Sequence, residues 1–327
     1  MDNQKASSPL LLYVVGAVFI IWGILGMMDS KNYVYDGYQS GDDNSIVNVE
    51  EGSPAEAAGM QVGDVIILNG GIDANNNKEL FQRERAKAGD VREFLLDRNG
   101  KEVTVSLTFS ELNEKDKSLN KVALAIGLLF VLIGFWALYK HKSGLSKAFA
   151  IFSLCFGFIF MSGPYIGPGI LSNLVNSAST TIVIFSFAFL LKYMLQYPPE
   201  SKKQKLLYLP AILIVLLIWV LNFVQPDGSG TFNMVIRLFF GIVIIFYFLS
   251  SLITLIRKYM RSSAEDRKSN GLNLMMIGTV VGVLPILIYF TAGVISPGIE
   301  LPGDDYIFLT FAAIPIFFSM ALSRVSA

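Results

Sequence analysis

The placement of Lys and Arg around a series of long apolar runs constrains this chain more than any other feature. Eight runs read as helices within a bilayer: 10–28, 122–139, 148–161, 174–193, 206–224, 234–256, 272–295 and 306–322. A crossing needs ~20 residues of helix. The third run is the weakest, being short and followed by "GPYIGPG", which either extends it or enters the membrane as irregular backbone shielded by protein. Alternate loops hold Lys140, Lys142 and Lys147, then Lys192, Lys202, Lys203 and Lys205, then Arg257, Lys258, Arg261, Arg267 and Lys268. The opposite loops, "SGPYIGPGILSN", "NFVQPDGSGTFN" and "VISPGIELPGDDY", hold no Lys or Arg. Basic residues in short loops mark the cytoplasmic side. The expectation is therefore eight spans, both termini in the cytoplasm, and residues 30–118 outside. The first run is too long for the apolar core of a cleaved signal and lacks a small-residue cleavage site, so it reads as a retained signal anchor.

Composition sharpens this division. Only 16% of the 327 residues are charged, against about a quarter in soluble domains. Residues 30–118 carry 17 acidic and 10 basic side chains, and the remainder carries 9 and 16. An acidic module is thus inserted in a basic membrane scaffold, and nothing in the pattern suggests nucleic-acid binding. Cys155 and His141 are the only residues of their kinds. One Cys excludes an intrachain disulfide framework. One His excludes the H-E-x-x-H zinc motif and leaves any membrane serine without a partner on its own side. Asp227, Asp304 and Asp305 fall in loops, so no intramembrane aspartyl dyad is formed. The expectation is a protein without catalytic residues, metal or cofactor.

Residues 30–118 show strand alternation punctuated by turns. "SIVNVEEGSPA" reads as a strand and turn, and "PAEAAGM" as a short helix capped by Ser53 with Pro54 just inside. "VGDVIILNGG" reads as a turn and a buried strand. Residues 78–88 read as a second helix, and "VREFLLDRNGKEVTVSLTF" as a hairpin turning at Asn99-Gly100. Gly59 suits a left-handed helix end, and Ala55 and Ala58 suit close packing.

The stretch "GSPAEAAGMQVGDVIILNGG" closely resembles the signature of bacterial-type PDZ domains, through Gly52, Ser53, Pro54, Ala55, Ala58, Gly59, Gly63, Asp64, Ile66, Asn69 and Gly70. "LLDRNGKEVTVSL" resembles the closing hairpin of that family. The fold class implied is a polytopic α-helical membrane protein with an extracytoplasmic PDZ-like α+β domain between spans one and two. Its parts are a signal-anchor span (1–29), the PDZ domain (30–118) and a seven-span bundle (119–327). The resemblance implies capture of a peptide as an added strand, its carboxylate held by a glycine-containing loop. That loop corresponds to Tyr35, Asp36, Gly37 and Tyr38, with Leu80 and Glu84 lining the far side of the groove. The chain departs from the pattern in a very short pairing strand and in negative charge at Asp36, Asp42 and Asp43.

Among ionisable residues in the spans, Arg237 is the candidate site, either snorkelling to outer headgroups, or binding an anionic ligand or pairing with Glu300, Asp304 or Asp305. The overall arrangement also resembles the membrane input region of quorum-sensing, competence-pheromone-type sensor histidine kinases of the bacterial cytoplasmic membrane. "FAAIPIFFSMALSRVSA" is similar to the final helix of that region. This implies a two-component sensor for an extracytoplasmic ligand such as a peptide, acting with a second copy or a cytosolic kinase, its output domain absent from these residues. The alternative is a non-enzymatic membrane scaffold whose PDZ domain recruits extracytoplasmic proteins, or their C-termini, to a protease or secretion complex.

Overall fold

The computed structural model describes residues 9–41, 43–198, 206–224, 231–295 and 303–325. Asp42, Lys202, Lys203, Lys205, Asp227 and Glu300 lie outside them. Helix α1 (Pro9–Asp29) leads into a small β-rich module. In chain order the module contains β1 (Val34–Tyr35), β2 (Tyr38–Ser40), β3 (Ile46–Val49), α2 (Pro54–Ala57), β4 (Val65–Asn69) and β5 (Ile72–Asp73). It continues through α3 (Asn77–Gln82), β6 (Val91–Arg98), β7 (Lys101–Thr108) and β8 (Ser110–Glu111). The helices that follow are α4 (Glu114–His141), α5 (Gly144–Phe158), α6 (Ile170–Gln196), α7 (Leu209–Val224), α8 (Thr231–Arg261), α9 (Ala264–Ser269) and α10 (Leu272–Ile295). A 3-10 turn (Asp304–Ala312) then runs into α11 (Ala313–Val325).

The chain is a polytopic helical membrane protein, with the β module between its first two spans. Among the described residues six helical segments are long and apolar enough to cross, including Leu10–Asn32, Glu114–His141 and Ile170–Gln196. Helices α5 and α7 are apolar but shorter, at 15 and 16 residues. That corresponds to ~22–24 Å of helix against a hydrocarbon core of ~30 Å. Their shortness has different settings. Helix α5 is the buried centre of the bundle, with Phe149, Phe152 and Leu154 all 1% exposed or less. It begins at a capping box between Ser143 and Ser146 and ends in irregular backbone over 161–168. Helix α7 leans on α6 and α8 through Ala211, Ile214 and Leu221.

The two ends of the bundle are separated in sequence and in chemistry. At one end the 161–168 connection meets the module: the Tyr33 hydroxyl donates to Gly163 O (3.4 Å) and the Tyr165 N–H to an Asp29 carboxylate oxygen (2.8 Å). At the other, Tyr197 donates to Ala321 O (2.9 Å), Lys258 to Tyr197 O (2.6 Å) and Arg324 to Lys268 O (3.0 Å).

Within the module, β5, β4, β6 and β7 form an antiparallel sheet in that order, while β2 pairs with β3 and β1 with β8. The β1–β8 pair, Val34 against Glu111, holds the entry from α1 beside the exit into α4. Alternation along β6 and β7 turns Phe94, Leu96, Val105 and Leu107 inward onto Ile46, Ala55, Met60 and Ile66. Asn99 (φ 56°) and Gly100 (φ 79°) make the hairpin turn. The Ser53 hydroxyl accepts from Glu56 N, and Gly59 is left-handed at φ 81°.

One expectation is corrected. Residues 78–88 are not a single helix, because α3 stops at Gln82 and Arg83 is extended. Tertiary partners override the local preference. The Arg83 guanidinium donates to the Asn69 amide oxygen (2.7 Å) and to the Asn69 carbonyl at the end of β4. Arg85 reaches back to Asp29, and Ala86 is buried in the module core. An α-helix through 83–86 cannot satisfy these three directions together.

Candidate functional site

The loop before β2 is built around Gly37. Its φ of +77° is left-handed, and a Cβ there would sit 2.1 Å from the Ser53 Cβ. Gly37 O accepts from Glu50 N (2.9 Å), and Asp36 O accepts from Ala55 N (2.9 Å), so the loop is tied to both β3 and α2. Gly37→Ala is expected to destabilise the module by about 2–4 kcal/mol, combining a left-handed Cβ with overpacking. Thermal unfolding of the full chain followed by module proteolysis measures this.

Strand β2 has β3 on one side and no second strand among the described residues. Because Gly37 bonds toward β3, alternation turns the Tyr38 N–H and C=O to the opposite, open edge. The Tyr38 ring packs edge-on against Phe94 (5.9 Å between centroids), fixing the strand to the core. Tyr35 donates to a Glu50 carboxylate oxygen at 2.5 Å.

The acidic residues of this edge differ in role. Burial lifts the Asp36 carboxyl above the usual carboxylate range, against the opposing pull of the backbone N–H groups of Gly37, of Asp36 itself and of Tyr38. The donors that would meet a ligand carboxylate thus already face a side-chain carboxylate from the same loop. Asp43 is turned away, accepting from Ser45 N (3.0 Å) and the Ser45 hydroxyl (2.6 Å). Leu80 is half-buried on α3, whereas Glu84 is exposed and beyond the helix. The two therefore do not share a helical face. Among the described residues no hydrogen bond or ring contact joins either of them to 35–38. Arg237 lies exposed in the second turn of α8.

A second cluster, absent from the sequence reading, joins the module to the bundle. Both Arg85 terminal nitrogens pair with the Asp29 carboxylate, at 3.1 and 3.2 Å. The same guanidinium lies 4.8 Å from the Tyr33 ring centre and 4.5 Å from that of Tyr165. Asp29 also accepts from Asn32 (2.9 Å). Arg85 thereby links the module, the end of α1 and the connection between α5 and α6. Its only sequence signal is an Arg directly before Ala86, which by itself names no partner.

No protein-family model matches the chain. A stretch of 81 residues is 33% identical to a protein of Mesorhizobium japonicum named as a zinc metalloprotease, covering 25% of this chain and 22% of that protein. A stretch of 106 residues is 30% identical to the zinc metalloprotease RasP of Shouchella clausii, covering 32% of this chain and 23% of that protein. The chain thus spans under a quarter of the length of these curated relatives. Among solved structures, a serine endoprotease from Yersinia pestis shares 27% identity over 25% of this chain and 30% of its own, with a TM-score of 0.22. The similarity to zinc metalloproteases is distant and partial.

Proposed function

We propose that this protein is a non-enzymatic membrane scaffold. Its PDZ-like module takes up the C-terminal segment of an extracytoplasmic protein along the open edge of β2 and holds it for a membrane-embedded protease or secretion complex. The observation that carries this reading is the edge of β2 beside the Gly37 loop, which no second strand covers among the described residues and whose Tyr38 N–H is met by the Asp36 carboxylate, on a module fixed to the bundle by Arg85 and Asp29. The stretches of similarity to zinc metalloproteases are comparable in length to the module, and they favour a place in proteolysis over a place in signalling. With one histidine these residues hold no H-E-x-x-H motif, so the scaffold reading assigns cleavage to a partner. The sensor-kinase resemblance has no support from the relatives named above and is set aside.

The proposal includes eight passes through a bacterial cytoplasmic membrane, α5 and α7 among them, with the module outside and both ends inside. Twelve basic residues in alternate loops against none in the others support it. The gathering of the 161–168 connection with the module at one end of the bundle is compatible with it. Cysteines introduced at Asn75 and Ser262 should react with a membrane-impermeant maleimide from opposite faces. Labelling of both from one face removes this topology.

Asp36 provides the test of the groove. A carboxylate ligand meets repulsion from an ionised Asp36, so Asp36→Asn is expected to tighten binding about tenfold at neutral pH. In the native protein affinity should rise as pH falls through the elevated Asp36 pKa, because the neutral carboxyl no longer repels while the ligand carboxylate stays charged. The probe is a fluorescent peptide with an apolar last residue, free acid against amide, titrated into the full chain in nanodiscs. Equal binding of acid and amide, or none to either protein, sinks the proposal.

A further inference from the structure

Beneath the 161–168 connection lies an open-sided cavity of about 470 Å³ between the outer parts of α1 and α6. Trp22 forms one wall, Met161 and Tyr165 the roof, and Ser172, Asn176 and Ser179 the opposite wall. These last three fall at i, i+4 and i+7, on one face of α6. Trp22 is seven residues before the end of α1 and Asn176 six after the start of α6. At 1.5 Å per residue, Trp22 and Asn176 lie about 10 Å along their helices from these ends, which under the topology proposed above is the outer side of the membrane.

The two polar faces of α6 are used differently. Toward α7, Ser177 and Thr181 are engaged: Asn222 donates to the Ser177 hydroxyl (2.9 Å), Trp219 to the Thr181 hydroxyl (2.9 Å), and Thr181 to Ser177 O (2.7 Å). Toward the cavity, no hydrogen bond among the described residues engages the side chains of Ser172, Asn176 or Ser179, nor the Trp22 indole N–H. The Trp22 ring is held in place against Gly163, where a Cβ would come within 1.9 Å of it. Asn176 is exposed and Trp22, Ser172 and Ser179 are half-buried, so all four are open to an occupant that supplies hydrogen-bonding atoms. One that does so within the membrane relieves the cost of leaving them unbonded there.

We propose that this cavity is a binding site for an uncharged lipid of the outer leaflet, of the diacylglycerol kind. Its hydroxyl and ester oxygens would bond Trp22, Ser172, Asn176 and Ser179. The lining contains no carboxylate, ammonium or guanidinium, which disfavours a charged headgroup. The volume lies within the ~300–1,000 Å³ of small-molecule sites and is too small for a helix ~10 Å across. The wall below the polar groups is apolar, with Phe158, Ile159 and Val183 suited to the first part of an acyl chain. This site is independent of what the β2 edge captures.

The test uses the full chain in phosphatidylcholine nanodiscs with a diazirine-tailed diacylglycerol as probe, and maps the photolabelled residues by mass spectrometry. The expected result is saturable labelling of Trp22, Met161 and residues 172–183. Unlabelled diacylglycerol should compete and phosphatidylglycerol should not. Asn176→Leu combined with Ser179→Phe, which fills the cavity, should lower labelling at least fivefold. The competition series on the native chain decides the matter even if that variant misfolds. Labelling spread over the lipid-exposed faces without saturation overturns the proposal. So does equal competition by phosphatidylglycerol, or competition by an apolar peptide alone.

Discussion

Asp64→Ala should make the outer module open some 30- to 150-fold more often while leaving the membrane helices in place. Asp64 is 2% exposed, and its carboxylate is the centre of a closed set of bonds. Arg98 Nε donates to one oxygen and Nη2 to the other, both at 2.7 Å, and Gln61 N adds a third bond at 2.9 Å. The same Arg98 nitrogen also holds Gly59 O at 2.7 Å, so this side chain joins the end of β6 to the α2–β4 turn. Removing the acid leaves the Gln61 N–H and Arg98 Nε without their partner, with only the bond to Gly59 O holding the guanidinium. Losing one partner of a buried pair costs ~3–5 kcal/mol, and the quarter exposure of Arg98 reduces this to about 2–3 kcal/mol. Each 1.4 kcal/mol is tenfold in population, which gives the range above.

The pH dependence has a definite sign. The bond from Arg98, opposed by burial, holds the Asp64 carboxyl below the usual carboxylate range. Its stabilisation is therefore complete above the unfolded value of ~3.9 and is lost as pH falls through the folded value. Pulse proteolysis of the full chain with an acid-tolerant protease should show module cleavage rising at low pH in the native protein. Asp64→Ala should already cleave fast at neutral pH, with Asp64→Asn between them. Cleavage of Asp64→Ala at the native rate would show that the Arg98 pair does not hold the fold.

What could be read from the sequence was what depends on neighbours in the chain. The 52–70 signature carries its own causes: a cap at Ser53, a proline at the first helical position and glycines where φ is positive. The very short pairing strand expected after the Gly37 loop is found as β2, at Tyr38–Ser40, for the same reason, since Gly37 and the turn to β3 lie within a dozen residues. Helix α3 was misjudged because the residues that end it bond 14 and 56 positions away, at Asn69 and Asp29. Helicity is a weak local preference, and two guanidinium groups with fixed distant partners outweigh it. The shortness of α5 was visible as a weak span, but not its central burial, which depends on α4, α6 and α11 closing around it. In the cavity, the spacing of Ser172, Asn176 and Ser179 is legible, whereas their facing Trp22 across some 150 residues is not.

Arg85→Glu should release the module from the bundle without unfolding either. The substitution replaces a two-bond pair of 23% and 18% exposure with two carboxylates in the same place, and removes the cation from the Tyr33 and Tyr165 faces. The lost pair and the two ring contacts together are worth about 2–4 kcal/mol, to which like-charge repulsion adds. The module core is reached through Ala86 and stays intact, while the β1–β8 pair still anchors both ends of the insert. Motion is therefore expected as a swing about residues 30–34 and 111–114. Spin labels at Asn75 and Gly167, both exposed, should report one narrow distance in the native chain and a broad distribution in the variant. Asp29→Arg in the same chain restores opposite charges and should narrow the distribution again, although without the ring contacts of Arg85. A narrow distribution in Arg85→Glu would mean that strand pairing alone orients the module. The β2 edge would then need no bond to the membrane domain to be presented at a fixed height, and Arg85 would be a surface charge with little consequence for capture.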